Sequence, residues 1–226
     1  MTTVAGAQSS SAAAGPSLEE PDGWRVEAPE SFFAVVTHKE GVASGLAHEH
    51  LIVAQKLEAQ LELDLADPDA TTARVDVSVA DLLVDDPATN VEWQAELLRR
   101  ELISEAFATL KEKERQKIRR SMLSRKQLDV ENHPTICAEL DGVVVEGDRA
   151  TGTLHLEIRG QRVSRELTFA WPSPSADGSL RVDVTQSFEF TDFGIKPYSA
   201  LLGAIRVADT FDVVIRVVAR PGREVD

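Results

Sequence analysis

Residues 44 to 55, SGLAHEHLIVAQ, place His48 and His50 on either side of Glu49 inside an apolar run. In an extended strand the two imidazoles share one face and Glu49 takes the other. Two rings about 7 Å apart can share a metal ion, although a stable site wants a third ligand from elsewhere in the fold. They can instead anchor the polar head of a ligand, such as a quinone carbonyl, or simply line the mouth of the fold through their own hydrogen bonds. These three readings stay open at the level of sequence.

Other residues limit the chemistry on offer. A His-x-His metal pattern of the cupin type asks for glutamate four or five positions later, where Ala54 and Gln55 stand. The His-Glu-x-x-His zinc pattern fails because one residue, not three, separates the histidines. His155 is a conceivable third ligand, but Leu154, Leu156 and Ile158 read as the inward set of its strand, which turns His155 outward. Asp192-Phe193-Gly194 matches a kinase triplet, but it lacks the other kinase segments, and no Gly-x-Ser-x-Gly elbow occurs. Cys137 lies in an apolar segment and reads as a small core residue.

The elements that must position these residues are mostly short and β-like. Leu57, Ala59, Leu61, Leu63 and Leu65 alternate with polar residues, as do Val75, Val77 and Val79. Five further segments follow between Thr135 and Ala219, separated by turn residues such as Glu146-Gly147-Asp148 and Arg159-Gly160. About eight such segments, adjacent in sequence, predict a mainly β fold: an antiparallel barrel just wide enough to hold a small ligand. A helical insertion interrupts them over about 87–126. Val91, Ala95, Leu98, Leu102 and Ala106 sit there at helical spacing. Eight basic residues follow between Lys111 and Lys126, with Ile118, Met122 and Leu123 as an apolar stripe. That segment reads as a solvated helix laid over one barrel end, or alternatively as a basic surface that docks an acidic partner or ligand head. Trp93 reads as a packing anchor.

Composition narrows the function classes. At 226 residues the chain suits one domain with a sizeable core. A net charge of -14 disfavours nucleic acid and anionic membrane as partners. No apolar run approaches the roughly 18 residues of a membrane helix. The single cysteine has no internal partner. Residues 1–22 are rich in Ala, Ser and Gly, with neither the basic start nor the apolar stretch of a secretory signal, so a disordered tail and a cytoplasmic setting are the expectations. The domain is expected over 23–220, with a short tail at 221–226.

The second half carries a recognisable order of motifs. Leu128-Asp129-Val130 precedes His133-Pro134-Thr135-Ile136; Gly152, Leu154, Ile158 and Gly160 mark a glycine-bounded strand; Phe193-Gly194-Ile195 forms a late turn. With Trp24 and Ser31 in the opening segment, this pattern resembles the YceI-like family of lipocalin-like barrels. The resemblance implies a barrel with an apolar channel that binds isoprenoid or quinone-type lipids, or other apolar or amphiphilic molecules, for storage or transport. It brings no catalytic residues and no cofactor, so the chain reads as a lipid-binding protein rather than an enzyme. A homodimer is compatible with it. The chain is expected to differ from the family in three respects: a secretory signal is not expected from its opening residues, Cys137 and Ala138 stand where an aromatic is common, and the long helical stretch could cap the channel. The expected ligand-binding residues are Phe33, Val35, His48, His50, Ile136, Leu154, Leu156, Ile158, Phe188, Phe190 and Phe193. The alternative is a metal-binding protein or enzyme built on His48 and His50.

Overall fold

Alternating apolar and polar residues can bury one face of a strand while wetting the other, and a sheet of such strands closes on itself to bury that face completely. The computed structural model describes residues 23–41, 48–200 and 205–222. The tail expected over 1–22 lies outside them. Among the described residues the early strands are β1 (Trp24–Val26), β2 (Phe32–Glu40), β3 (His50–Ala54), β4 (Glu58–Glu62), β5 (Thr72–Ser78) and β6 (Leu82–Val84). After the helices come β7 (Thr135–Glu146), β8 (Arg149–Ile158), β9 (Gln161–Ala170), β10 (Leu180–Glu189), β11 (Ser199–Ala200) and β12 (Ile205–Pro221).

Every pairing is antiparallel, in two ladders. One runs β1-β12-β2-β3-β6, with β10 and β11 also on β12; the other runs β4-β5-β7-β8-β9. A single bent hairpin spans both, because β3 pairs with β6 while β4 pairs with β5. The 3-10 turn Val79–Asp81 makes the corner between β5 and β6. At the opposite seam β9 lies beside β10. Taking β1–β2, β3–β4 and β5–β6 as interrupted single strands and adding β7, β8, β9, β10 and β12 gives eight around the barrel. The inward set, including Val77, Leu156, Phe188, Phe211 and Val213, forms one continuous core.

The helical insertion divides into two helices with different tasks. Helix α1 (Pro87–Arg99) starts where the Asp86 carboxylate accepts from Thr89 N at 3.0 Å, with proline at the first turn. It lies on the outer face of β2, β3 and β12, not over a barrel end. There Trp93 and Leu97 form a second core with Ala34, Val36, Leu51 and Val214. Trp93 is stacked between Phe32, 3.8 Å between centroids, and the Arg216 guanidinium at 4.3 Å. The expected apolar stripe is therefore displaced. Val91 is 83% exposed, and the helix stops before Leu102 and Ala106, so Trp93 and Leu97 carry the buried face instead. Leu97→Ala is expected to lower the unfolding free energy by about 2–3 kcal/mol, since this outer core is thin and can partly collapse; urea unfolding checks it.

Helix α2 (Glu112–Leu123) holds five of the eight basic residues of the cluster. The Glu114 carboxylate accepts from Lys111 N at 2.8 Å at its start. Arg119 fastens it to the barrel corner by donating to Leu82 O at 2.9 Å and to Ala80 O. No residue of α2 is fully buried, as expected for a helix with one face on a partly open space. No helix among the described residues is long and apolar enough to cross a membrane.

Candidate functional site

Between α2 and the adjoining barrel wall lies a cavity of about 440 Å³, within the roughly 300–1,000 Å³ of small-molecule sites. Strand β2 lends Phe33, Val35 and Thr37; β3 lends His50 and Ile52; α2 closes the space with Ile118 and Met122. The alternation of β2 explains the wall. Phe33, Val35 and Thr37 face inward, while Ala34 and Val36 belong to the outer core under α1.

Of the residues singled out from sequence, Phe33, Val35, Ile136, Ile158 and Phe190 border this cavity, with His48 and His50 on its polar side. Leu154, Leu156, Phe188 and Phe193 do not line it; they are packed into the barrel core. Inward alternation finds the barrel interior but not the part of it left empty. The α2 wall was not among the expected lining residues, although the spacing of Ile118 and Met122 within a basic run was the visible signal. Phe211 and Ile195 also line the cavity and were not singled out.

The histidines separate by surroundings. His48 is exposed, just before β3. His50 is half-buried, and its Nδ1 lies 2.7 Å from the Asp85 carboxylate, whose other oxygen accepts from Leu51 N at 3.0 Å. Glu49 points to the opposite face, is buried, and accepts from Ser104 N at 2.9 Å and Oγ at 3.2 Å. Among the described residues no three His, Cys, Asp or Glu side chains converge as a metal site. His155 faces outward, bonded to Ser164 at 2.7 Å and Asp141 at 3.1 Å.

Behind the site, His38 on the outer face of β2 lies 2.8 Å from Asp212 and 3.7 Å from Glu49. The Asp212 bond raises the His38 imidazole above its ordinary value of 6.5, burial opposing. Burial alone would raise the Asp212 carboxyl, but bonds from His38 and Ser187 outweigh it and hold it below 3.8. The raised imidazole stabilises the fold fully below about pH 6.5 and loses that contribution as pH climbs through its folded value. The depressed carboxyl contributes above about pH 3.8 and fades as pH falls below it. His38→Gln is therefore expected to cost most between these limits, about 1–2 kcal/mol, and less toward alkaline pH; unfolding at a series of pH values measures the difference.

Two other expectations resolve here. Cys137 is buried, but on the outer face of β7, in register with Asp76 and Glu157 rather than in the barrel core, because Ile136 and Ala138 take the inward positions. Burial, helped by the Asp76 carboxylate, pushes its thiol up to about 12, so it is a poor nucleophile. Asp192-Phe193-Gly194 forms a 3-10 turn closed by Gly194 at φ 65°, a conformation that suits glycine, and this seats Phe193 and Ile195 in the core.

The sequence matches the model of the YceI-like domain over residues 24–219. The chain belongs to the YceI-like family. Burkholderia cenocepacia BcnA shares the fold with a TM-score of 0.61 at 13% identity, covering 86% of this chain and 99% of that one. A mutant of the Campylobacter jejuni YCEI protein, made for nanotechnology applications, aligns with a TM-score of 0.53 at 11% identity over 76% of this chain and 85% of that one. Among curated proteins none matches this sequence significantly. At these identities the solved relatives establish the fold. The YceI-like barrel of this chain carries its cavity where α2 meets the wall.

Proposed function

We propose that this YceI-like protein binds an apolar or amphiphilic molecule, of isoprenoid or quinone type, in the cavity beneath α2, and stores or carries it. The observation that carries this reading is the cavity itself: about 440 Å³, bordered mainly by aliphatic and aromatic side chains, with a few polar groups grouped on β2, β3 and α2. At about 30 Å³ per water-sized group, it has room for roughly fifteen methylene-sized groups. At about 0.8 kcal/mol each they contribute about 12 kcal/mol gross, and an ordering cost of about 4 kcal/mol leaves micromolar binding. A longer tail need be enclosed only in part.

The family and the fold of its solved relatives support a lipid-binding role in general; the isoprenoid or quinone class is the proposal. Titration of delipidated protein with a fluorescent apolar probe tests it. Saturable binding of one probe per chain, displaced by an isoprenoid lipid, is the expected result. Linear, unsaturable partitioning of the probe contradicts it.

A further inference from the structure

The polar side of the cavity has a fixed hydrogen-bonding sense. Thr37 and His50 stand directly opposite each other across the β2–β3 ladder, and both line the cavity. Side chains paired in this way lie close enough to grip one group together. Thr37 is 5% exposed, and its hydroxyl rotates to donate or accept as required. His50 has no such freedom. Its Nδ1 is 2.7 Å from the carboxylate of Asp85, a residue 3% exposed. The second Asp85 oxygen accepts from Leu51 N at 3.0 Å, and Asp85 N donates back to Leu51 O at 2.9 Å.

A carboxylate oxygen facing Nδ1 accepts from it, so this contact selects the imidazole tautomer with its proton on Nδ1 and its lone pair at Nε2. Asp85 is held for this in a left-handed conformation, φ 49°, sparsely populated by residues with a side chain and sustained only when the surroundings fix it. The charged groups Glu114 and Lys117 reach the cavity from α2, but both are exposed and belong to its rim.

We propose that Thr37 and His50 form a head-group subsite that selects ligands bearing an O–H donor, an isoprenoid alcohol or a hydroquinone, over the matching ether, ester or quinone. The ligand hydroxyl donates to His50 Nε2 while its oxygen accepts from Thr37. A carbonyl or ether oxygen satisfies Thr37 alone and sets its lone pairs against that of Nε2. This inference rests on the reading of the cavity as a lipid site.

The test is calorimetric titration of the delipidated full chain with geranylgeraniol and with its methyl ether. The alcohol is expected to bind about tenfold more tightly, the effect of one buried hydrogen bond made or missed. In Asp85→Asn the amide N–H faces Nδ1 and drives the proton to Nε2, so the preference should vanish or reverse. Nitrogen NMR of the imidazole reads that tautomer change independently of any effect on folding. Thr37→Val removes a donor that both ligands use and should weaken both several-fold with the preference kept, whereas His50→Phe, which removes the Nε2 acceptor, should abolish the preference and decides the matter if Asp85→Asn does not fold. Equal affinity for the two ligands overturns the head-group subsite and leaves the lipid site standing. Binding of neither overturns the lipid reading and the subsite together.

Discussion

Phe211→Ala should lower the unfolding free energy by about 3–5 kcal/mol, a third or more of the stability of many domains. Phe211 is 0% exposed and lies at the centre of an aromatic layer, with ring centroids 6.1 Å from Phe188, 4.5 Å from Phe190 and 6.0 Å from Phe193. Phe188 and Phe193 are themselves fully buried, so they cannot swing far into the space left behind, and the void keeps most of its cost. Phe211 also borders the cavity. Its removal should therefore enlarge the site while weakening the fold, giving a variant that melts earlier but accepts a bulkier apolar probe. Urea unfolding reads the first effect and probe titration the second. A loss below about 1 kcal/mol would mean that the rings around Phe211 do relax into the space left behind.

Ile118→Asp should reduce affinity for an apolar ligand by about a hundredfold or more while leaving the fold intact. Ile118 lies on the cavity side of α2, on a helix with no fully buried residue, so in the empty protein the new carboxylate stays hydrated. Binding would have to strip that water from an unpaired charge, and a cost of about 2.7 kcal/mol already gives the hundredfold loss. Ile118→Leu conserves apolar area and should bind nearly as well as the parent. If Ile118→Asp binds an apolar probe undiminished while circular dichroism shows an unchanged fold, the ligand does not sit under α2.

The barrel was legible because period-two patterns declare the buried face of a strand without reference to its neighbours. Val75 and Val77, or Leu154, Leu156 and Ile158, point inward as their alternation says. The cavity was less legible, since emptiness depends on which inward side chains meet across the barrel. Leu154 and Leu156 have the same signature as Ile158, yet only Ile158 reaches open space. Helix α1 misled for a different reason: its outer-face contacts rest on Trp93 and Leu97, whereas the longer stripe beginning at Val91 continues past the point where the helix ends at Arg99. The partners of His50 and Glu49, Asp85 and Ser104, lie tens of residues away in sequence and could not be read from the His-Glu-His segment alone.

The central claim is that the cavity beneath α2 holds a lipid, and native mass spectrometry of the freshly purified protein, compared with its denatured mass, tests it most directly. A sizeable excess mass that passes into organic solvent, and that Ile118→Asp no longer retains, is the expected result, and its fragmentation identifies the ligand. An excess matching one metal ion, removed by a chelator and lost when His48 and His50 are replaced by alanine, would contradict the lipid reading and return those histidines to the centre of the function.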